Sequence, residues 1–228
     1  MRVPLTTRDF LDRAELVYGD RVGIVDEPNQ PAPPVGDVSY RDVARRGRAL
    51  QAGLDALGIG EGERVAIVSH NAGRLLELLL AVPSSGRVAV PINFRLSPEE
   101  VTYIVGHSGS RVLLVDPELE SSLKGVEAEH RFGTGEEYEQ LLRFDTEPRP
   151  WSDPDEDATA TINYTSGTTA RRSSAASTST ASPSCAGHRL SGTRSWRPRT
   201  TGTARSPGAT ACGSSSPAPR RPRAPSPV

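Results

Sequence analysis

The chain has 228 residues, of which 35% are hydrophobic and 24% charged, and its formal net charge is −1. This length allows one large domain or two small ones. The longest strongly apolar stretch, residues 75–82, contains Glu77 and is far shorter than the ~20 residues of a membrane-spanning helix. The N-terminus lacks the apolar segment of a secretory signal. Two cysteines, Cys185 and Cys212, make neither a disulfide framework nor a four-ligand zinc site. We therefore expect a cytoplasmic protein without a membrane span.

The near-zero charge conceals two regions of opposite sign. Residues 1–170 hold all 28 acidic residues and 17 basic ones, whereas residues 171–228 hold ten arginines and no acid. In this second region 52 of 58 residues are Arg, Ser, Thr, Ala, Pro or Gly. Its few large apolar side chains would contribute about 1.5–3 kcal/mol each when buried, against an ordering cost of about 1–2 kcal/mol per residue. We predict a domain over residues 1–170 and a disordered tail over residues 171–228.

Helical and strand patterns alternate through the first region. Capping residues such as Ser39 and Ser97, each followed by an acidic residue three positions later, mark helix starts. The predicted helices begin near residues 6, 39, 72, 97 and 136 and end near residues 18, 57, 82, 107 and 143. The predicted strands are residues 22–25, 65–68, 88–90, 112–115 and 158–164. From residue 117 to 154 the signals are weak, apart from the short helix at 136–143.

The strand candidates 65–68 and 112–115 are continuous apolar runs, which are typical of strands covered on both faces. Such strands alternate with helices at the spacing of βαβ units. The sequence therefore predicts an α/β fold, with a layered, mainly parallel sheet and helices on both of its faces.

A run of small residues, four of them with hydroxyl groups, follows the last predicted strand. It consists of Thr165, Ser166, Gly167, Thr168 and Thr169. Small residues let the backbone approach a ligand closely, and the N–H and O–H donors suit an anionic phosphate chain. An ordinary polar turn is the alternative interpretation. The run is not a Walker A loop, because the Gly-Lys-Ser/Thr ending is absent.

From Tyr164 onward the sequence resembles the start of the phosphate-binding motif of adenylate-forming enzymes, the AMP-binding acyl-CoA synthetase superfamily. Further segments occur in that family's order and spacing, at residues 39–42, 62–67, 71, 86–93, 96–100 and 112–116. The resemblance covers roughly residues 5–169. It is nearest to the fatty-acyl-CoA ligases.

The resemblance implies a reaction and its partners. The family joins a carboxylic acid to ATP with the help of Mg²⁺, releases pyrophosphate, and transfers the acyl group to coenzyme A. ATP and a carboxylic acid, by resemblance a fatty acid, are thus the implied partners, and Thr165–Thr169 would wrap the β- and γ-phosphates. No residue of this chain is assigned a catalytic or metal-ligating role.

The match breaks off inside the motif. The family continues with Gly-x-Pro-Lys-Gly, whereas this chain has Ala170 and then two arginines and two serines. The phosphate-contacting lysine therefore has no counterpart, and Arg171 or Arg172 would supply charge with a different geometry. The family's later elements have no counterpart either, including the glutamate motif that binds the metal and the catalytic lysine.

Three hypotheses follow from this break. The first is a ligase that is frame-shifted or truncated after Ala170 and is catalytically inactive. The frame shift is indicated by the absence of acidic residues from the last 58 positions, where roughly 6–7 are expected. Arg, Ala, Pro, Ser, Gly and Thr are also the residues that GC-rich DNA encodes out of frame. The second is a residual ATP-binding or regulatory fragment. The third is non-specific nucleic-acid binding through the ten arginines, which the acidic first region and a single stacking residue, Trp196, argue against.

Other candidate residues have simpler interpretations. The histidines are scattered without the spacing of metal ligands, at positions 70, 107, 130 and 188. Glu99 and Glu100 form a carboxylate pair but lie where acids stabilise a helix start. An acidic run at Asp153, Asp155, Glu156 and Asp157 is expected to be a solvated linker rather than a metal site.

Overall fold

The computed structural model describes residues 5–165 and the strand at 173–178. Its helices are α1 (Thr7–Tyr18), α2 (Tyr40–Ala56), α3 (Gly73–Ala81), α4 (Pro98–Ser108) and α5 (Glu136–Leu141), with a 3-10 turn at Pro83–Ser85. Its strands are β1 (Val22–Val25), β2 (Asp37–Ser39), β3 (Arg64–Val68), β4 (Val88–Ile92), β5 (Ser110–Val115), β6 (His130–Gly133), β7 (Thr159–Thr165) and β8 (Ser173–Thr178). No helix in this described part is long and apolar enough to cross a membrane.

Six of these strands form one sheet, in the order β6-β5-β3-β4-β7-β8. The first five are parallel to their neighbours, and β8 is antiparallel to β7. β3 lies at the centre of the parallel part; it pairs in register with β4 over its whole length and with β5 from Val65 to Val68, after a register shift between Arg64 and Val65. β1 and β2 form a separate antiparallel pair.

Apolar side chains cover both faces of the parallel strands. On one face, α2, α3 and α5 pack over the sheet, and their cluster includes Leu50, Leu78 and Tyr138. On the other face, α4 and the segment 119–126 pack over the sheet, with Val101 and Ile104 in the cluster. The four residues 65–68 of β3 are fully buried, as expected for a strand enclosed between two layers. The predicted α/β fold is confirmed.

The helix boundaries follow the predicted caps closely. The Ser97 hydroxyl accepts from the backbone N–H of Glu100, and the Glu100 carboxylate accepts from the backbone N–H of Ser97. At α1 the Asp9 carboxylate likewise accepts from the backbone N–H of Thr6, and it also accepts from the Thr6 hydroxyl. Gly58, just beyond the end of α2, has a φ of +73°, a conformation that favours glycine.

Three strands, β2, β6 and β8, were not predicted, and β4 is longer than predicted. β2 and β6 have only three and four residues, so no apolar period can develop in them. β4 runs through Pro91 to Ile92, two residues beyond the end of the predicted strand. β4 pairs with β7 at Ala89, and Pro91 lies beyond that position. The N–H that Pro91 lacks is therefore not needed for a hydrogen bond to β7.

Within the predicted tail the structure describes one strand, Ser173–Thr178, which pairs with β7 along its length. Strand pairing uses backbone N–H and C=O groups, so it needs no apolar side chains. The rest of the predicted tail, with Cys185, Cys212 and His188, lies outside the described residues, and there the prediction stays a prediction.

The segment 143–158, here called the strap, leads from α5 to β7 past the amino ends of the central strands. The backbone N–H of Arg143 donates to the carbonyl of Ala49, and that of Arg149 donates to the Asp55 carboxylate. Ser152 donates through its backbone N–H to the Glu61 carboxylate. The Trp151 ring packs on Gly86, where an added Cβ would lie 2.8 Å from the ring. These contacts fix the path of the chain into β7.

Candidate functional site

The candidate site lies where the last parallel strand ends. β7 is parallel to β4, and Ala89 pairs with Thr161, so Thr165 lies at the same edge of the sheet as the end of β4. The chain leaves β4 on one side, towards β5, and leaves β7 on the other side, towards β8. Ligands of open parallel sheets bind at such carboxyl edges, where neighbouring connections diverge.

Of the five predicted phosphate-binding residues, the structure describes Thr165. It is the last residue of β7 and is exposed to solvent. Ser166, Gly167, Thr168 and Thr169 lie outside the described residues. Their assignment to phosphate binding therefore stays a prediction. The structure places the residue at which that loop begins.

Tyr164, the residue before Thr165, contacts helix α4. Its hydroxyl lies 2.8 Å from Nδ1 of His107. The two rings meet edge to face, with centroids 5.8 Å apart and planes at 82°. His107 in turn stacks on Tyr103, one helical turn earlier, at a centroid distance of 5.3 Å. Burial raises the pKa of the Tyr164 hydroxyl, which is therefore protonated at neutral pH.

The loops that follow β3 and β5 at this edge bond to each other. Asp116, 2% exposed, accepts from the backbone N–H of Glu118 at 3.1 Å, and its other oxygen lies 3.2 Å from the Ser69 hydroxyl. His70 packs on Phe94, with ring centroids 4.1 Å apart. The Asp116 carboxylate therefore has protein partners on both oxygens.

A second cluster of ionisable groups joins α2, α3 and α5. Arg46 donates to Glu77 at 2.9 Å and, through its two terminal nitrogens, to both oxygens of Glu139 at 2.9 Å. Arg74 also donates to Glu139, at 2.7 and 2.9 Å, and the Tyr138 hydroxyl donates to Glu77 at 3.0 Å. Every carboxylate here has partners within the protein, so the cluster serves to tie three helices together.

Burial sets the proton affinities in this cluster. It raises the pKa of Glu77, while Arg46 and the Tyr138 hydroxyl act in the opposite direction. Burial also raises the pKa of Glu139, but Arg46 and Arg74 outweigh it and leave that pKa lowered. The pKa of the fully buried Tyr138 is raised well above its ordinary value, again by burial.

The other candidate residues are spread over the molecule. His70 Nε2 lies 3.0 Å from a Glu118 oxygen, without the alignment of a hydrogen bond. His130 is on the edge strand β6, and His107 is on α4. Within residues 5–165, no group of three His, Cys, Asp or Glu side chains could hold a metal ion. Glu99 and Glu100 lie in the first turn of α4, where Glu100 completes the cap.

Sequence reasoning missed the contact of Tyr164 with His107 and the ion cluster around Glu139. Glu77 was the available signal for the cluster, since it interrupts an apolar helix. Tyr103 and His107 are spaced by four residues on α4, but nothing local to the sequence indicates their partner on β7.

A family model described as "AMP-binding enzyme" matches residues 11–175, more than half of the chain. The chain belongs to this AMP-binding family. The family predicted from the resemblance is thus confirmed, and the matched region includes β7 and the loop that begins at Thr165.

Two acyl-CoA ligases are similar in sequence to parts of this chain. The long-chain-fatty-acid–CoA ligase of Thermus thermophilus is 40% identical over 121 residues, which cover 53% of this chain and 22% of that protein. The medium-chain-fatty-acid–CoA ligase of Ectopseudomonas oleovorans is 29% identical over 190 residues, which cover 74% of this chain and 34% of that protein.

A solved structure has a similar fold. The inhibitor-bound N-terminal domain of FACL13 from Mycobacterium tuberculosis superposes with a TM-score of 0.65 and 26% identity, over 76% of this chain and 44% of that one. The chain thus spans less than half of this domain and between about a fifth and a third of the two ligases.

Proposed function

We propose that residues 1–170 form the phosphate-loop part of an ATP-dependent fatty-acyl-CoA ligase, in which Thr165–Thr169 bind the β- and γ-phosphates of MgATP. The observation that carries this proposal is the end of β7. A strand of a parallel sheet delivers the exposed Thr165 to the carboxyl edge, directly before four more small residues, within the region that matches the AMP-binding family.

In the proposed reaction a carboxylate oxygen attacks the α-phosphorus of ATP, and the bond to the α,β-bridging oxygen breaks. Acyl-adenylate and pyrophosphate result. The thiol of coenzyme A then attacks the acyl carbon, loses its proton, and releases AMP. The loop would contribute N–H and O–H donors to the pyrophosphate portion, whose negative charge they neutralise in part. Mg²⁺ would arrive with ATP and supply further positive charge.

We further propose that the reading frame changes after Ala170, so that residues 171–228, including the segment that pairs with β7 as β8, are an unselected tail and the chain does not complete the ligase reaction. The support is compositional. Ten arginines, no acid and no lysine follow Ala170, and the motif loses its lysine at the same point. Without that point charge and the family's later elements, the adenylation step lacks most of its catalytic groups.

A binding titration tests the phosphate loop. Isothermal calorimetry with MgATP would compare the full chain with Thr168→Val, which removes a hydroxyl while preserving side-chain shape. We expect about a 10-fold or greater loss of affinity, since hydrogen bonds to charged groups contribute about 1.5–3 kcal/mol. Thr159→Val, at the opposite end of β7, is the matched control and should bind MgATP like the unaltered chain. Equal affinities for all three proteins would contradict the assignment.

A kinetic assay and the gene test the second part of the proposal. We expect no fatty-acid-dependent exchange of labelled pyrophosphate into ATP by this chain, under conditions in which the Thermus thermophilus ligase exchanges readily. Clear exchange would refute the proposed inactivity. Translation of the encoding DNA after the Ala170 codon in the other two frames should recover a Pro-Lys-Gly ending and the later motifs of the family. If neither frame does so, the frame change is wrong.

A further inference from the structure

The lateral support of β7 changes along its length. Within the described residues, β4 pairs with β7 at a single position, Ala89 with Thr161. From Ile162 to Thr165 the strand pairs only with β8, on its outer side. In the half of β7 that leads into the proposed phosphate loop, side chains therefore add to the attachment of the strand, and both Ile162 and Tyr164 pack against the core.

Tyr164 provides this attachment at the loop-proximal end. Its ring packs against the cluster that contains Val101, Ile104 and Val105 of α4. Its hydroxyl reaches His107 Nδ1 at 2.8 Å, and the His107 ring is itself braced by the stacked ring of Tyr103. Together Tyr103, His107 and Tyr164, here called the aromatic anchor, tie the end of β7 to a helix whose start is firmly capped.

The geometry points to the aromatic anchor as a positioning device for the phosphate loop: Tyr103 and His107 hold Tyr164, and Tyr164 fixes the place at which the loop begins. The inference rests on the proposed function. Hydrogen-bond donors that converge on a phosphate must be held within about 0.5 Å of their productive places. Because Thr165 is bonded directly to Tyr164, a shift of Tyr164 moves the loop donors with it.

The hydrogen bond at the centre of the anchor can be tested by a double-mutant cycle. His107→Leu and Tyr164→Phe each remove one partner of this bond, and MgATP affinity would be measured by calorimetry for each single variant and for the double variant. We expect about a 3- to 10-fold loss for each single variant and no further loss for the double variant, since both remove the same bond. His107→Asn, whose Oδ1 can take the place of Nδ1, should restore most of the affinity.

Two controls separate positioning from general damage. His130→Leu, on the edge strand β6 at the other side of the sheet, should bind MgATP like the unaltered chain. The thermal midpoints of all variants should differ little, while hydrogen exchange in a peptide covering Tyr164 and Thr165 should quicken in His107→Leu and not in His130→Leu.

The outcomes distinguish this inference from the proposed function. If the unaltered chain binds MgATP and the anchor variants bind it equally well, the anchor does not position the loop, and the proposed function stands. The inference is likewise overturned if the losses in the cycle add, or if His107→Asn fails to recover. If the unaltered chain does not bind MgATP, both proposals fail together.

Discussion

The helical layer of α2, α3 and α5 and the end of β7 are held in opposite ways. In the layer, Arg46, Glu77 and Arg74 are removed from water, with side-chain exposures of 14%, 3% and 7%, and each has an ionic partner. At the end of β7, the bond between Tyr164 and His107 is exposed. When one partner of a buried ion pair is removed, the other charge stays buried without a partner and without water. When a partner at the surface is removed, water takes its place. The contacts that contribute most to the stability of the fold thus lie away from the candidate site, and breaking those at the end of β7 costs less free energy.

The largest expected effect in this comparison belongs to Glu77→Ala. The substitution leaves the Arg46 guanidinium without one buried partner and the Tyr138 hydroxyl without its acceptor, so we expect a loss of about 3–5 kcal/mol in the free energy of unfolding. Urea denaturation would measure it. Asp20→Ala, which removes the partner of Arg41 in an exposed pair, is the control and should cost less than about 1 kcal/mol. Equal losses of unfolding free energy in Glu77→Ala and Asp20→Ala would contradict the contrast between buried and exposed contacts.

A smaller loss is expected where α2 meets α5. An added Cβ at Gly53 would collide with the backbone carbonyl of Leu141, so Gly53→Ala should cost up to about 3 kcal/mol. Gly106 in α4 has open space around it, and Gly106→Ala should instead stabilise the protein by about 0.5–1 kcal/mol. Both are helical glycines compared in the same denaturation assay. A neutral Gly53→Ala would mean that the two helices move apart easily.

Asp26 links α3 of the helical layer to the β1–β2 pair and makes the stability of the protein depend on pH. Burial raises the pKa of Asp26, but N–H donors from Val35, Gly73 and Gln30 outweigh it and leave that pKa lowered. Its contribution is therefore present above the unfolded-state pKa of about 3.9 and is lost as pH falls through the lower folded-state value.

At pH 7 we accordingly expect Asp26→Asn to cost about 1–2 kcal/mol, because the amide NH₂ would face one of these donors. The gap between variant and parent should narrow as pH falls below about 4 in urea titrations. Asp37→Asn, at an exposed position of β2, is the control and should cost less than about 0.5 kcal/mol at pH 7. A gap that stays constant with pH would show that Asp26 does not titrate in this way.

The smallest expected effect on stability is at the site end. Tyr164→Phe removes an exposed hydrogen bond and retains the ring that packs on α4, so it should cost less than about 1 kcal/mol in urea denaturation. Phe10→Tyr, on an exposed position of α1, is a control for the change of one hydroxyl on an exposed ring. A loss of unfolding free energy near that of Glu77→Ala would mean that the end of β7 is as important for stability as the helical layer, and would contradict the comparison.

Local chemistry made much of this fold predictable. The start of α4 follows from Ser97, Pro98 and Glu100 alone, because every contact that stabilises it lies within one turn. The buried strands β3 and β5 follow from unbroken apolar runs. β6 does not, since its four residues include His130 and Arg131 and it becomes a strand only by pairing with β5.

The candidate site divides in the same way. The end of β7 and the small residues after it are visible in the sequence as a β-rich run followed by hydroxyl side chains. The contact between Tyr164 and His107 joins residues 57 positions apart and depends on how α4 lies across the sheet. The family resemblance located the loop, but only the packing of elements distant in sequence identifies what holds it.

The strap gives the sheet an order of assembly. β3, β4 and β5 follow one another closely along the chain, whereas Ala89 and Thr161 are far apart in sequence and meet only after the strap has passed the amino ends of the strands. The entropy of closing a long loop is lost before the contacts that compensate for it can form, and this slows the pairing of β4 with β7. We therefore expect β7 to dock late, after the centre of the sheet has formed on the nascent chain. The strand that carries the proposed nucleotide contacts would be the last of the parallel five to reach its place.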